Sequence, residues 1–208
     1  DGHRAAPAEV LAVVEGPARA LLAGERLILN LVQHLSGIAT LTRACVDAVA
    51  GSRLVVRDTR KTVPGLRLLA KYAVRVGGGT NHRMALDDAI LIKDNHLAFA
   101  GGDVAAAVGR ARAAAPRLPL EIECRTLVEV AAAVPAKPDL ILLDNMSLAD
   151  VTAAVELVAG RVPLEVSGGV GPEDLPALAS TGADFVAMGA LTHSAGAVDL
   201  HLKMEPMP

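Results

Sequence analysis

The stretch LEIECRTLVEVAAAVPAKPDLILLDNMSLADVTAAVELVAGRVPLEVSG, residues 120–168, contains three short apolar runs, LEIEC 120–124, LILLD 140–144 and LEVSG 164–168, separated by Ala- and Val-rich stretches. Each run is too short for a helix, and LILLD is too evenly apolar for a strand with one wetted face, so the runs read as strands covered on both sides. The stretches between them have helical length, and one opens at Ser147, a residue suited to capping a helix N-terminus. Strand followed by helix, recurring at roughly 20 to 25 residues, is the βα unit of a parallel sheet.

Working outward, RLVVR 53–57, AILIK 89–93 and FVAMG 185–189 are strands of the same kind. Helices are expected near 103–115, 126–134, 148–159 and 172–181, the last opened by Gly171-Pro172. The predicted fold is α/β, an open or incomplete β/α barrel, with a doubly wound open sheet as the alternative. Before the first strand, Ile28, Leu31, Val32, Leu35, Ile38 and Ala39 fall at helical spacing, giving one long helix over 25–50 or two in series, with a kink expected at Ser36-Gly37. Residues 9–14 and 17–22 read as short strands around Gly16-Pro17, and VDLHLKM 198–204 alternates with period two. On this reading residues 1–30 belong to a partial N-terminal α/β sandwich domain, completed by a C-terminal strand at 198–208, and 31–197 form the β/α barrel.

The chain has 208 residues, 52% of them hydrophobic and 21% charged, with one Tyr, two Phe and no Trp, so its core must be built from Ala, Val, Leu and Ile. A net charge of −3 offers no general attraction to nucleic acid or to an anionic membrane. Any anion site must therefore come from local clustering. Cys45 and Cys124 lack metal-site or disulfide-framework spacing, which fits a reducing, cytoplasmic setting. No apolar run reaches the ~18 residues of a spanning helix. The chain opens without Met, at Asp1, which fits a fragment or a processed form.

The ends of the strands carry the chemistry. A β/α barrel builds its site on that face, and here it collects Asp58-Thr59-Arg60-Lys61, Lys93-Asp94-Asn95-His96, Glu121 and Glu123, Asp144-Asn145, Ser167-Gly168-Gly169 and Gly189. With His82 and Arg83, the set gathers Arg60, Lys61, His82, Arg83 and Lys93. Such cations repel one another unless an anion lies among them. Arginine forks hold carboxylates and phosphates, so the ligand is expected to be polyanionic. Glu121, Glu123 and Asp144 form the counter-set, and oxygen ligands of this sort suit Mg²⁺ shared with phosphates. Glu121 and Glu123 share a strand face, and one of them is expected to orient a lysine. VSGGVG 166–171 and AMGA 187–190 are glycine loops at the late strands, where such barrels bind phosphate. Gly77 to Gly79 read instead as a helix end and turn. Cys124 reads as inert, His96 as structural and His34 as packed.

The segments ERLILNLVQHLSGIAT, DTRKTVPGLRLLAKYAVRVGGGTNHR, LIKDNH, EIEC, LLDNMS, VSGGV and ADFVAMGALTHSAGAVDLHLKM together resemble the quinolinate phosphoribosyltransferase family. The order and spacing hold from about Asp1 to Met204. The resemblance implies an open-ended α/β barrel joined to a sandwich domain, in homodimers or larger homo-oligomers with shared sites. It implies transfer of phosphoribosyl from 5-phosphoribosyl 1-pyrophosphate to quinolinate, with decarboxylation to nicotinate mononucleotide and Mg²⁺ as cofactor.

In that family pattern Arg60, His82, Arg83 and Lys93 grip quinolinate. Lys61 and Lys93 approach the donor, with Thr59 beside them. Glu123 and Asp144 face the ribose and the metal. Ser167, Gly168, Gly169, Met188, Gly189, Ala190 and His193 hold phosphate, and Arg26 reaches a neighbouring subunit's site. Lys61, Lys93, Glu123 and Asp144 are the expected catalytic set. Members of the family carry a longer N-terminal part, and Met84-Ala85 depart from the usual local pattern. Two other readings stay open here: a related transferase acting on another small base without decarboxylation, and a non-catalytic anion-binding protein.

Overall fold

The computed structural model describes residues 1–206. Its six strands are β1 (Val55–Arg57), β2 (Ile90–Ile92), β3 (Leu120–Cys124), β4 (Leu140–Asp144), β5 (Leu164–Ser167) and β6 (Phe185–Ala187). The helices are α1 (Ala18–Ala48), α2 (Arg67–Val76), α3 (Asp94–Phe99), α4 (Val104–Ala114), α5 (Leu127–Ala136), α6 (Leu148–Val158), α7 (Leu175–Ala179) and α8 (Ala190–His193). A 3₁₀ turn, Pro172–Asp174, leads into α7.

All named strands pair in parallel, in the order β1-β6-β5-β4-β3-β2. Because β1 and β2 do not pair, the sheet stays open, as the sequence predicts. On the far side of β1 the only continuation among the described residues is a single parallel bridge from Arg57 to Thr80.

Strand parity sorts the residues into two sets. Val56, Ile122, Leu143, Val166 and Val186 lie in one continuous apolar core together with Val74, Val108, Val130, Val151 and Leu175 of the covering helices. The alternate positions, in register across the sheet, are Arg57, Glu121, Glu123, Leu142, Asp144, Glu165 and Ser167. Leu142 is buried yet stands outside that core, as expected of a residue on the inner face. The interior of the open barrel is therefore polar, and the apolar packing lies between strands and helices.

Caps set the helix positions. Ser147 accepts from the Asp150 amide at 3.2 Å, Thr126 from the Glu129 amide at 3.2 Å and Asp103 from the Ala106 amide at 2.9 Å. Pro135 falls in the last turn of α5, which closes on Lys137 in the left-handed conformation.

Three expectations are corrected. The helix α1 runs unbroken through Ser36-Gly37, and Gly37 serves close packing: a Cβ there would lie 2.0 Å from the Gly196 carbonyl oxygen. Residues 9–15 form no strand, and residues 18–22 belong to α1. Residues 198–206 pair with no strand either. Alternation alone cannot make a strand without a partner edge, and this segment instead lies on α1, with the Val198 amide donating to the Gln33 carbonyl at 3.1 Å and Gln33 Nε2 to the Leu200 carbonyl at 2.8 Å. Residues 207 and 208 of the expected C-terminal strand lie outside the described residues. No helix among the described residues is long and apolar enough to cross a membrane.

Candidate active site

The ionic run after β1 divides into a buried part and a free part. Asp58 is fully buried and ion-paired with Lys71 of α2, itself fully buried. The other bonds to its carboxylate come from Asn81 Nδ2 at 2.5 Å and the His82 amide at 2.9 Å. Lys71 also donates to the His82 carbonyl at 3.1 Å. Asp58 is thus the anchor that fastens the 80–83 loop beside β1. Arg67 does the same for the following turns, donating to the Arg60 carbonyl at 3.2 Å, Thr62 Oγ1 at 3.1 Å and the Met84 carbonyl at 3.3 Å.

Arg60 and Arg83 are held close enough that each other's charge matters. Burial, and then the Arg60 charge, lower the pKa of Arg83. The Arg83 side chain keeps one bond, to the Ala89 carbonyl at 3.1 Å. Two guanidinium groups in this relation mark a place for an anion.

Beneath them, His82 Nε2 lies 2.9 Å from Glu121 Oε2 and 3.2 Å from Glu165 Oε1, while Arg57 donates to Glu165 Oε2 at 2.8 Å. Burial pulls the His82 pKa down, but the two carboxylates outweigh it and carry it up to about 9. Burial likewise raises the Glu121 carboxyl above its ordinary range, against the pull of His82. The three ligand-type atoms lie within 4.8 Å of one another. The Arg57 guanidinium and a His82 proton already balance the two carboxylates, so the cluster reads as an ion network and not as a metal centre.

Lys93 Nζ reaches Glu123 Oε2 at 3.1 Å, so the glutamate that orients a lysine is Glu123. His96 Nδ1 accepts from the Lys93 amide at 2.9 Å, the structural role expected of it. Asp144, at the end of β4, lies 3.8 Å from Arg125, whose other contact is Asp94 at 3.2 Å. Arg125 thus adds a cation that the sequence reading did not select; following LEIEC directly, it was available as a strand-end residue. Lys71 and Glu165 were also missed, since a lysine on an amphipathic helix reads as a surface residue and a glutamate within a strand as a wetted one.

The late loops converge on the β1 loop. Thr192 Oγ1 donates to the Lys61 carbonyl at 2.8 Å, and a Cβ on Gly189 would lie 2.9 Å from both Lys61 Cδ and His193 Nε2. Thr59 Oγ1 accepts from the Lys61 amide at 3.0 Å. Gly168, at φ +99°, is pressed against Asn145, so that a Cβ would meet its side chain at 2.5 Å. Gly169 faces open space. Ser167 and Ala190 are half-buried, but Met188, expected to hold phosphate, is buried in the core with its amide donating to the Arg57 carbonyl at 2.9 Å. Arg26 lies exposed in the N-terminal part of α1 and has no ion pair among the described residues. Cys124 is buried, and burial pushes its thiol up to about 12.

The chain is similar to known proteins over most of its length. The family description "Quinolinate phosphoribosyl transferase, C-terminal domain" matches residues 38–203, and "Quinolinate phosphoribosyl transferase, N-terminal domain" matches residues 1–36. A nicotinate-nucleotide pyrophosphorylase [carboxylating] of Mycobacterium leprae is 51% identical over 207 residues, covering 98% of this chain and 72% of the relative. The protein of that name from Homo sapiens is 40% identical, covering 98% and 70%. The crystal structure of NadC from Streptococcus pyogenes superimposes with a TM-score of 0.91 at 46% identity, covering 96% of this chain and 70% of that one. With both family descriptions matched in order and the cations and carboxylates gathered at the strand ends, the chain belongs to the quinolinate phosphoribosyltransferase family.

Proposed function

We propose that the chain carries out the carboxylating reaction of its family at the mouth of the open barrel, with roles divided as follows. Arg60 and Arg83, supported by His82 and Lys93, hold the two carboxylates of quinolinate. The observation that carries this reading is that Arg60 and Arg83, whose charges repel, both sit on fastened loops, Arg60 held at its carbonyl by Arg67, and Arg83 next to His82, which Asp58 and Lys71 hold.

Lys61 lies between the β1 loop and the β6 loop, beside Gly189 and His193, where it can meet the phosphates of 5-phosphoribosyl 1-pyrophosphate. Ser167, Gly168 and Gly169 present backbone and hydroxyl to the same end of the donor. Glu123 and Asp144, on adjacent strands, face the ribose. Their donor chemistry also fits Mg²⁺, held by carboxylate oxygen and shared with phosphate. When bound, Mg²⁺ would neutralise the diphosphate as it leaves.

The residues of the chain then act mainly by placement and charge. The carboxylates of Glu123 and Asp144 stabilise positive charge at the anomeric carbon as the C–O bond to diphosphate breaks. The pyridine nitrogen forms the new bond there. When the bond to the adjacent carboxylate breaks and CO₂ departs, the electron pair stays on the ring carbon, stabilised by the positive charge of the neighbouring ring nitrogen, and a proton then bonds to that pair. Arg26 would come from a second copy of the chain in a homodimer with shared sites. The test is release of CO₂ and diphosphate from quinolinate and 5-phosphoribosyl 1-pyrophosphate, with nicotinate as the control base. Equal turnover of nicotinate, without CO₂, would favour a related transferase instead.

A further inference from the structure

Glu165 has no task in the roles just assigned. It lies fully buried on β5, two residues before Ser167, on the inner face of the barrel. One of its oxygens accepts from Arg57, whose guanidinium also stacks 4.0 Å over the Phe185 ring. The other lies 3.2 Å from His82 Nε2 and has no hydrogen bond of its own, and Glu121 carries a second buried oxygen without a partner. Carboxylates so deprived of water demand balancing charge. Arg57 supplies one positive charge against two negative ones, and a proton on His82 brings the set to neutrality.

We infer that Glu165, together with Glu121, is a positioning residue for quinolinate binding: the two carboxylates seat the His82 ring on the floor of the pocket and keep it cationic toward the dicarboxylate. This rests on the assignment of quinolinate to the pocket of Arg60, His82 and Arg83.

The charged groups facing His82 are Glu121 from β3, Glu165 and Arg57 from β5 and β1, Lys71 of α2 at its carbonyl, Asp58 at its amide, and Arg83 beside it. One contact pulls the other way. The Arg83 amide donates to His82 Nδ1 at 2.7 Å, which suits a neutral ring. Two carboxylates at 2.9 and 3.2 Å, only one of them met by Arg57, outweigh one amide dipole. Protonation therefore exchanges that amide contact for an Nδ1–H free to donate to a substrate carboxylate.

The sign of the pH dependence follows. With both glutamates present the ring stays protonated below about 9, so quinolinate affinity is flat between pH 6 and 8. In Glu165→Gln, Arg57 and Glu121 already balance, and the ring loses its proton near the ordinary value of about 6.5. Affinity should then fall about tenfold for each pH unit above that point. Calorimetry with quinolinate should find the variant within about threefold of the parent at pH 6 and at least about tenfold weaker at pH 8. A parallel measurement follows the His82 ring by NMR in the unsubstituted protein, assigned from the signal lost in His82→Asn, and expects titration near 9.

A Glu165→Gln protein weakened by the same factor at every pH, or not weakened at all, overturns the inference, as does a parental His82 ring that titrates at its ordinary value. If Glu165→Gln fails to fold by circular dichroism, Glu121→Gln and the parental ring titration decide. Arg60→Ala separates the two levels of the argument. Unchanged quinolinate affinity in that variant removes the pocket assignment itself, whereas a large loss there beside a pH-flat Glu165→Gln removes only the role of Glu165.

Discussion

Replacing Lys71 with Met tests whether the 80–83 loop is held by a buried ion pair. Lys71 touches no proposed substrate, yet its ammonium is bonded to the Asp58 carboxylate and lies 3.1 Å from the His82 carbonyl, with both charged side chains fully buried. Removing one partner of a buried pair costs about 3 to 5 kcal/mol, because the other charge is left without compensation. Asp58 would retain the Asn81 and His82 donors, at 2.5 and 2.9 Å, which places the expectation in the lower half of that range, at about 3 to 4 kcal/mol. For a chain of this size each kcal/mol moves the melting temperature by roughly 2 to 4 °C, so Tm should fall by roughly 6 to 16 °C. The measurement is urea and thermal unfolding of the assembled protein, followed by circular dichroism. Adding Asp58→Asn removes the stranded charge and should recover at least about 1.5 kcal/mol relative to the sum of the single variants. A Lys71→Met protein within about 1 kcal/mol of the parent, or strict additivity in the double variant, would show that the pair does not hold the loop.

The remaining predictions concern the site. Arg60→Ala and Arg83→Ala should each weaken quinolinate binding by about 2 to 5 kcal/mol, read by calorimetry, and retention of parental affinity in either would place the dicarboxylate elsewhere. Asp144→Asn should lower kcat more than quinolinate affinity; a large loss of affinity at unchanged kcat would move this residue to the other half of the site. Gly168→Ala places a side chain at φ +99° and against Asn145, so it should destabilise by about 1 to 3 kcal/mol and raise the KM for the phosphoribosyl donor, with an unchanged KM counting against a donor site at this loop. Mixed dimers of Arg26→Ala and Lys93→Ala should regain about a quarter of parental sites if Arg26 acts across a two-fold interface, and no gain over the separate variants would place it within its own subunit or away from the site.

The strands were legible because their signal is local. LEIEC and LILLD coincide with β3 and β4 residue for residue, since a short run of Leu and Ile, too short for a helix and followed closely by a helix-capping residue, marks a covered parallel strand by itself. The cation cluster was legible for a similar reason, as strand ends were the right places to look. What failed were features whose meaning depends on a distant partner. The alternation at 198–204 matches a strand, yet here the segment meets a helix. The kink expected at Gly37 rested on flexibility, but the glycine is used for contact with Gly196, more than 150 positions away in the chain. Lys71 could not be recognised as buried before Asp58 was known to lie behind it. The strand-end reading selected Asp58 but not Lys71, and only the folded chain brings the two together.

The polar inner face and the apolar outer face of the same six strands answer to different demands. Along β3, β4 and β5, odd and even positions should therefore drift independently: outer positions constrained by volume and indifferent to the reaction, inner positions constrained by charge and nearly irrelevant to the helical shell. A barrel divided in this way can revise which anion it receives by exchanging residues at every second position, as long as each buried charge keeps a partner, and leave the apolar packing against the helices as it was.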